Sequence, residues 1–175
     1  MALVTLTIDG KQVSVEEGTM IIEAAKSAGI DIPSLCYLKD INLIGACRVC
    51  VVEVEGAKTL QASCVTPVRN GMVVRANTPA VRASRKLTVE MILSDHPYEC
   101  PTCPRNLNCE LQNLADRLRL RKIRLGGERI EHLVDDKNPF IVRDYNKCIK
   151  CRRCEAVCRE QGVSALAAQN RSLRT

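Results

Sequence analysis

The chain has 175 residues, three Tyr, one Phe and no Trp, with a formal net charge of +6. So few aromatic side chains exclude one large aromatic-anchored core, and 11 cysteines point to metal coordination as an organising force instead. The opening "MALVTLTIDG" has neither a basic start nor a long apolar run, so no signal peptide is expected. No apolar stretch reaches membrane-spanning length. A cytoplasmic protein is therefore expected, where dense cysteine reads as metal ligation rather than disulfides.

In chain order, "LVTLTIDGKQVSV" predicts two strands joined by an Asp9-Gly10 turn. Thr19 is placed to cap a helix through "MIIEAAKSA", with Gly29 as its stop. Three short β-branched runs follow, "VCVVEVEG", "TLQASC" and "GMVVRA". A small sheet crossed by one helix is the sum. Thr78-Pro79 opens a second helix as cap and first helical residue. Ala80, Ser84, Leu87 and Met91 recur along it at helical spacing, and His96-Pro97 ends it. Leu111, Leu114 and Leu118 predict another helix, closed by Gly126-Gly127. The "DDKNP" cluster at 135–139 is a turn leading to the last cysteines.

The stretch "RLRLRKIR" at 117–124 carries five basic and no acidic residues. It reads as a solvated face, with a docking patch for an acidic protein as the alternative. Without an aromatic residue to stack on bases, it is a poor nucleic-acid surface.

The cysteines fall in three clusters. Cys36, Cys47, Cys50 and Cys64 are separated by ten, two and thirteen residues. This is a variant of the plant-type [2Fe–2S] pattern, three cysteines in a loop and a distant fourth. Gly45 and Ala46 are small enough to let backbone N–H groups approach a cluster. Structural zinc is the competing reading, but it favours two close pairs over one pair and two singletons. Cys148, Cys151, Cys154 and Cys158 form the C-x2-C-x2-C-x3-C run of bacterial ferredoxins. Between them, His96, Cys100, Cys103 and Cys109 form H-x3-C-x2-C-x5-C. A neutral imidazole is a competent iron ligand, so His96 reads as the fourth ligand of a cysteine trio one short. His132 reads as a surface or packing residue.

"DHPYECPTCPRNLNCELQNLADRLRLRKIR" and "IVRDYNKCIKCRRCEAVCREQGV" resemble the electron-transfer region of iron-only ([FeFe]) hydrogenases, and the spacing of the N-terminal cysteines matches as well. The large iron–sulfur subunit of respiratory complex I, and subunits of NAD-linked hydrogenases and formate dehydrogenases, are similar over the first two modules. The resemblance covers almost the whole chain. It implies an α+β protein in three parts. Residues 1–78 would be a β-grasp [2Fe–2S] ferredoxin-like domain, with Cys36, Cys47, Cys50 and Cys64 as ligands. Residues 79–138 would be a small helical [4Fe–4S] module with His96, Cys100, Cys103 and Cys109. Residues 139–175 would be a partial bacterial-ferredoxin-like module, with Cys148, Cys151 and Cys154 holding part of a second [4Fe–4S] cluster.

In those hydrogenases a second cysteine run completes that last cluster, and a catalytic domain follows. Here the residues shown stop after "NRSLRT". Three explanations stay open: a portion of a longer polypeptide, a short subunit with a ligand from elsewhere, or closure of the cluster by Cys158. The implied function is an electron-transfer subunit of a multisubunit oxidoreductase. It would pass single electrons between a flavin- or NAD(P)-bearing partner and a hydrogenase catalytic subunit. An NAD-linked formate dehydrogenase and a complex I-like enzyme are the alternatives. The chain has no G-x-G-x-x-G and no P-loop, and no catalytic site of its own is expected. From a different class, a zinc-binding nucleic-acid module would account for cysteines and arginines, but the C-x2-C-x2-C-x3-C run argues against it.

Overall fold

The computed structural model describes residues 2–126, 129 and 131–168. They form two compact units. The first comprises Met1–Lys39 and Leu43–Thr88, the second Asp40–Asn42 and Val89–Thr175. Three residues inside the long Cys36–Cys47 gap thus belong with the second unit.

The first unit is an α+β arrangement. Strands β1 (Leu3–Ile8) and β2 (Lys11–Glu16) form the expected antiparallel hairpin, Val4 opposite Val15 and Leu6 opposite Val13. Asp9 and Gly10 both take positive φ, 47° and 82°, the primed turn whose twist suits a two-residue hairpin. Strands β3 (Val51–Val54), β4 (Gln61–Ala62) and β5 (Val73–Arg75) complete a five-stranded sheet of order β2-β1-β5-β3-β4. The β1–β5 pair is parallel and the other pairs antiparallel. Val4, Leu6 and Ile8 alternate onto one face of β1 and are buried with Val52, Val74 and helix α1 (Ile21–Ser27). Period-two patterning therefore decides which sheet face the helix covers.

Thr19 does not cap α1, contrary to expectation. Its hydroxyl donates to the Glu16 carbonyl at 2.7 Å, closing the turn after β2, and the helix has no side-chain cap. Instead the Ile21 and Ile22 N–H groups donate to the carbonyls of Thr66 and Ser63. The loop after β4 supplies acceptors that a cap side chain would otherwise provide. Gly29 ends α1 as expected: its N–H reaches Lys26 O while Ile30 N–H reaches Ala25 O, a Schellman pairing.

Helix α2 (Pro79–Ser94) is capped by Thr78, whose Oγ1 accepts from Val81 N–H at 3.2 Å. Its buried face is Val81, Arg85, Val89 and Glu90. The Ala80–Met91 face read from the sequence is turned outward, with Leu87 and Met91 46% and 57% exposed. Two charged residues displaced two apolar ones because each finds full hydrogen bonding inside. Arg85 bonds backbone carbonyls, and Glu90 receives Arg124 through its backbone N–H, its Nε and its Nη2.

In the second unit, helix α3 (Glu110–Arg117) buries Leu111 and Leu114. It ends earlier than the diglycine. Arg119, at φ 52°, donates its N–H to Asp116 O, and Leu120 N–H reaches Ala115 O, so a Schellman motif forms without glycine. Gly127 lies outside the described residues. The basic stretch after α3 is exposed; Arg124 is held on Glu90 and Arg121 on Asp116. Asp135 and Arg143 exchange both backbone hydrogen bonds around the 135–139 turn. Helix α4 (Arg153–Glu160) ends at Gly162. Among the described residues no helix is long and apolar enough to cross a membrane.

Candidate metal centres

None of the 11 cysteines forms a disulfide. In the first unit the four N-terminal ones converge. Cys36, Cys50 and Cys64 are fully buried and Cys47 is partly so. Cys50 Sγ lies 3.3 Å from Cys64 Sγ, and Cys36 shares hydrogen bonds with both Cys47 and Cys64. Hydrogen bonds to Cys47 and then Cys64 pull the Cys36 thiol far below its ordinary value. Cys64 likewise pulls Cys50 down to about 6. The same hydrogen bonds, with burial adding, push the Cys47 and Cys64 thiols well above their ordinary value. Four sulfurs this close in a largely buried pocket form a donor set that gives up its protons on binding a metal.

The loop that brings them together is unusual in its backbone. Gly45 stands at φ 61° and Arg48, between Cys47 and Cys50, at φ 56°. A Cβ on Gly45 would meet Val65 Cγ2 at 3.2 Å. Backbone N–H groups of Cys47 and Ala46 turn toward the Cys36 sulfur, as residues in left-handed turns allow. Around Cys50 every carbonyl is taken. Arg85 Nε donates to Val49 O at 3.1 Å and Arg85 Nη2 to Val51 O at 2.8 Å. Ser63 Oγ donates to Cys50 O at 2.7 Å. Sequence reasoning missed Arg85; its one signal was a charged residue midway between Val81 and Val89 on the same helical stripe.

The second centre lies in the second unit. His96, Cys100, Cys103 and Cys109 line one pocket together with Gln112 and Lys147. His96 follows α2, its N–H bonded to Leu93 O. Cys100 starts a single 3-10 turn through Thr102, and Cys109 is the residue before α3. Gln112 was also missed. Its Oε1 accepts from Leu107 N–H and its Nε2 donates to Asn106 Oδ1, both at 2.9 Å. It pins the left-handed residue Leu107 and so aims Cys109 inward. Burial, then the charges of Arg129 and Lys147, lower the His96 pKa. The imidazole is neutral at pH 7, the form that binds metal.

The third run is only partly gathered. Cys148 and Cys154 line a common pocket with Ile141, Tyr145, Ala165 and Leu166. Neither Cys151 nor Cys158 lines it. Lys150 and Arg152 adopt φ of 58° and 59°, winding the loop between the cysteines, and Lys150 N–H donates to Cys148 Sγ at 3.4 Å. Cys151 is pushed up by burial, and its carbonyl accepts from Asn42 Nδ2 at 3.1 Å. Cys158, one turn along α4 from Cys154, accepts from Ala165 N–H at 3.2 Å. His132 packs its ring edge-on against Tyr145.

The donor sets fit iron–sulfur clusters. The first is all thiol with amides aimed at sulfur, and the second is three thiols and one neutral imidazole, ligand types that such clusters accept.

Residues 1–79 match the family described as 2Fe-2S iron-sulfur cluster binding domain. Residues 85–124 match the NADH-ubiquinone oxidoreductase-G iron-sulfur binding region. The chain is 46% identical over 177 residues to NADP-reducing hydrogenase subunit HndD of Solidesulfovibrio fructosivorans, covering 98% of this chain and 30% of that protein. It is 43% identical over 160 residues to the mitochondrial NADH-ubiquinone oxidoreductase 78 kDa subunit of Neurospora crassa, covering 87% of this chain and 21% of that one. A chain of the NAD+-reducing [NiFe]-hydrogenase, solved in the H2-reduced state, superposes with a TM-score of 0.91 at 30% identity, covering 97% of this chain and 72% of that one. Fold and sites together define an iron–sulfur protein with a [2Fe–2S] ferredoxin-like domain followed by a [4Fe–4S]-binding region. The chain belongs to the iron–sulfur protein family of that NAD+-reducing hydrogenase chain, and is similar over the same region to hydrogenase and complex I subunits. It spans less than a third of the length of HndD and of the 78 kDa subunit.

Proposed function

We propose that the chain relays single electrons inside a multisubunit oxidoreductase, between a flavin- or NAD(P)-bearing partner and a hydrogenase catalytic partner. Convergence of Cys36, Cys47, Cys50 and Cys64 in a dry pocket carries the reading. These four residues would hold a [2Fe–2S] cluster, which would supply a one-electron carrier there. His96, Cys100, Cys103 and Cys109 would hold a [4Fe–4S] cluster. Cys148, Cys151 and Cys154 would hold most of another, with Cys158 as a further ligand of undecided assignment. The three modules would be residues 1–78, 79–138 and 139–175, working in the cytoplasm. A complex I-like enzyme is the second reading, favoured by the 43% identity to the Neurospora crassa subunit.

Iron, acid-labile sulfide and zinc per chain, measured on anaerobically purified protein, test this. About ten irons are expected from one [2Fe–2S] and two [4Fe–4S] clusters, with little zinc. About six would mean that the Cys148 centre is incomplete in this chain. Stoichiometric zinc without sulfide would end the electron-transfer reading.

A further inference from the structure

A turn that holds none of the four candidate ligands brings a cation to the His96 centre. Lys147 lines the pocket that His96, Cys100, Cys103 and Cys109 also line. It ends the 3-10 turn Tyr145–Lys147, which Asp144 caps. One Asp144 carboxylate oxygen accepts from Asn146 N–H at 3.0 Å, an Asx turn, and the other pairs with Lys147 Nζ at 3.4 Å. Asn146 also clasps the backbone of His132. Its Oδ1 accepts from His132 N–H at 2.9 Å and its Nδ2 donates to His132 O at 2.8 Å. The His132 ring meets Tyr145 edge-on, so the residue read from sequence as a packing side chain anchors the turn that carries Lys147.

Glu99 and Arg105 line the pocket as well, but both are exposed while Lys147 is partly buried. Solvent and salt screen an exposed charge more than a partly buried one. Asp144, the countercharge of Lys147, does not line the pocket, and neither does Arg129, a second cation near the imidazole. Lys147 is therefore the charge best placed to act on a group bound there. We propose that Lys147 sets the reduction potential of the His96 centre, its positive charge favouring the reduced form, and that Asp144, Asn146 and the His132 backbone are what hold it in place. This rests on the assignment of a [4Fe–4S] cluster to His96, Cys100, Cys103 and Cys109. A group held by three thiolates becomes more negative when it takes up an electron, and a fixed cation stabilises that state over the oxidised one. The neutral imidazole and the lysine act in the same direction. One withholds a negative charge from the centre and the other adds a positive charge beside it.

The test is a redox titration of the full chain followed by electron paramagnetic resonance, with iron and sulfide counted on the same samples. The signal of this centre is identified as the one that His96→Ala removes. Lys147→Gln should keep its iron and move the midpoint of that signal downward, and Lys147→Glu should move it further in the same direction. Lys147→Arg keeps the charge and should leave the midpoint close to that of the unaltered protein. The same midpoint with Lys, Gln and Glu at this position would overturn the proposal, as would an Arg variant shifted as far as the Gln variant. Loss of the centre's iron from the Gln variant would overturn it too, making Lys147 part of the framework of the site. If His96→Ala removes neither a signal nor iron, the cluster assignment fails instead.

Discussion

Arg85 brackets Cys50. Its guanidinium donates to the carbonyls of Val49 and Val51, at 3.1 and 2.8 Å, on either side of that cysteine. A side chain only 5% exposed thus fixes the backbone of a proposed cluster ligand and places a positive charge near it.

Replacing Arg85 with Met should have two effects. Two buried carbonyls lose their donors, which should cost on the order of 2–4 kcal/mol of stability, read by thermal or chemical unfolding. Loss of the cation should also disfavour the extra electron on the neighbouring [2Fe–2S] cluster, so its reduction potential should fall. Redox titration followed by its reduced-state spectrum checks the second effect, and an unchanged potential would leave Arg85 a purely structural role.

Gly45→Ala should damage the same centre from the other side of the loop. The residue stands at φ 61° and an added methyl would approach Val65 at 3.2 Å. The left-handed backbone alone costs about 1–2 kcal/mol for a residue with a Cβ. Iron content should drop by the share of the [2Fe–2S] cluster, while the spectral features of the other centres persist.

His96→Cys replaces a neutral imidazole with a thiolate and makes the cluster complex one unit more negative. The reduced state then gains the greater repulsion, so the potential of that centre should move downward. His96→Ala removes the ligand and should lower iron at this centre. A His96→Cys protein with unchanged potential would remove His96 from the ligand set.

Asn42→Ala should act on a centre far along the chain from residue 42. Removing the buried amide leaves the Cys151 carbonyl without this donor, at roughly 1–2 kcal/mol. If Cys148, Cys151 and Cys154 hold a cluster as proposed, its spectrum should change, while that of a [2Fe–2S] cluster on the cysteines flanking Asn42 in sequence should not. Iron analysis beside the spectra separates a shifted cluster from a lost one.

Much of the architecture was legible before any coordinates. The Asp9-Gly10 hairpin, the Thr78-Pro79 helix start and the Gly29 stop are local, because their hydrogen bonds close within a few residues. Boundaries set by distant partners were not. Thr19 looked like a cap, but its hydroxyl donates back to the Glu16 carbonyl, and the Ser63 and Thr66 carbonyls receive the first N–H groups of α1. The face of α2 was misjudged because hydropathy alone cannot anticipate that Arg85 and Glu90 will be satisfied by groups 34 or more residues away.

The amino-acid order by itself determined which residues are the candidate cluster ligands of this protein. Cysteine spacing is a local property, and a C-x2-C loop or a C-x2-C-x2-C-x3-C run can present thiols to one cluster before any long-range contact forms. Only the tertiary structure decided how those ligands are held. It brought Cys64 to Cys50 and set Arg85 across the Cys50 backbone. It turned Gln112 onto the loop before Cys109 and carried Asn42 to Cys151. Each depends on a side chain reaching a backbone group or thiol that the chain must first fold to deliver. Such pairings leave no periodic trace in sequence.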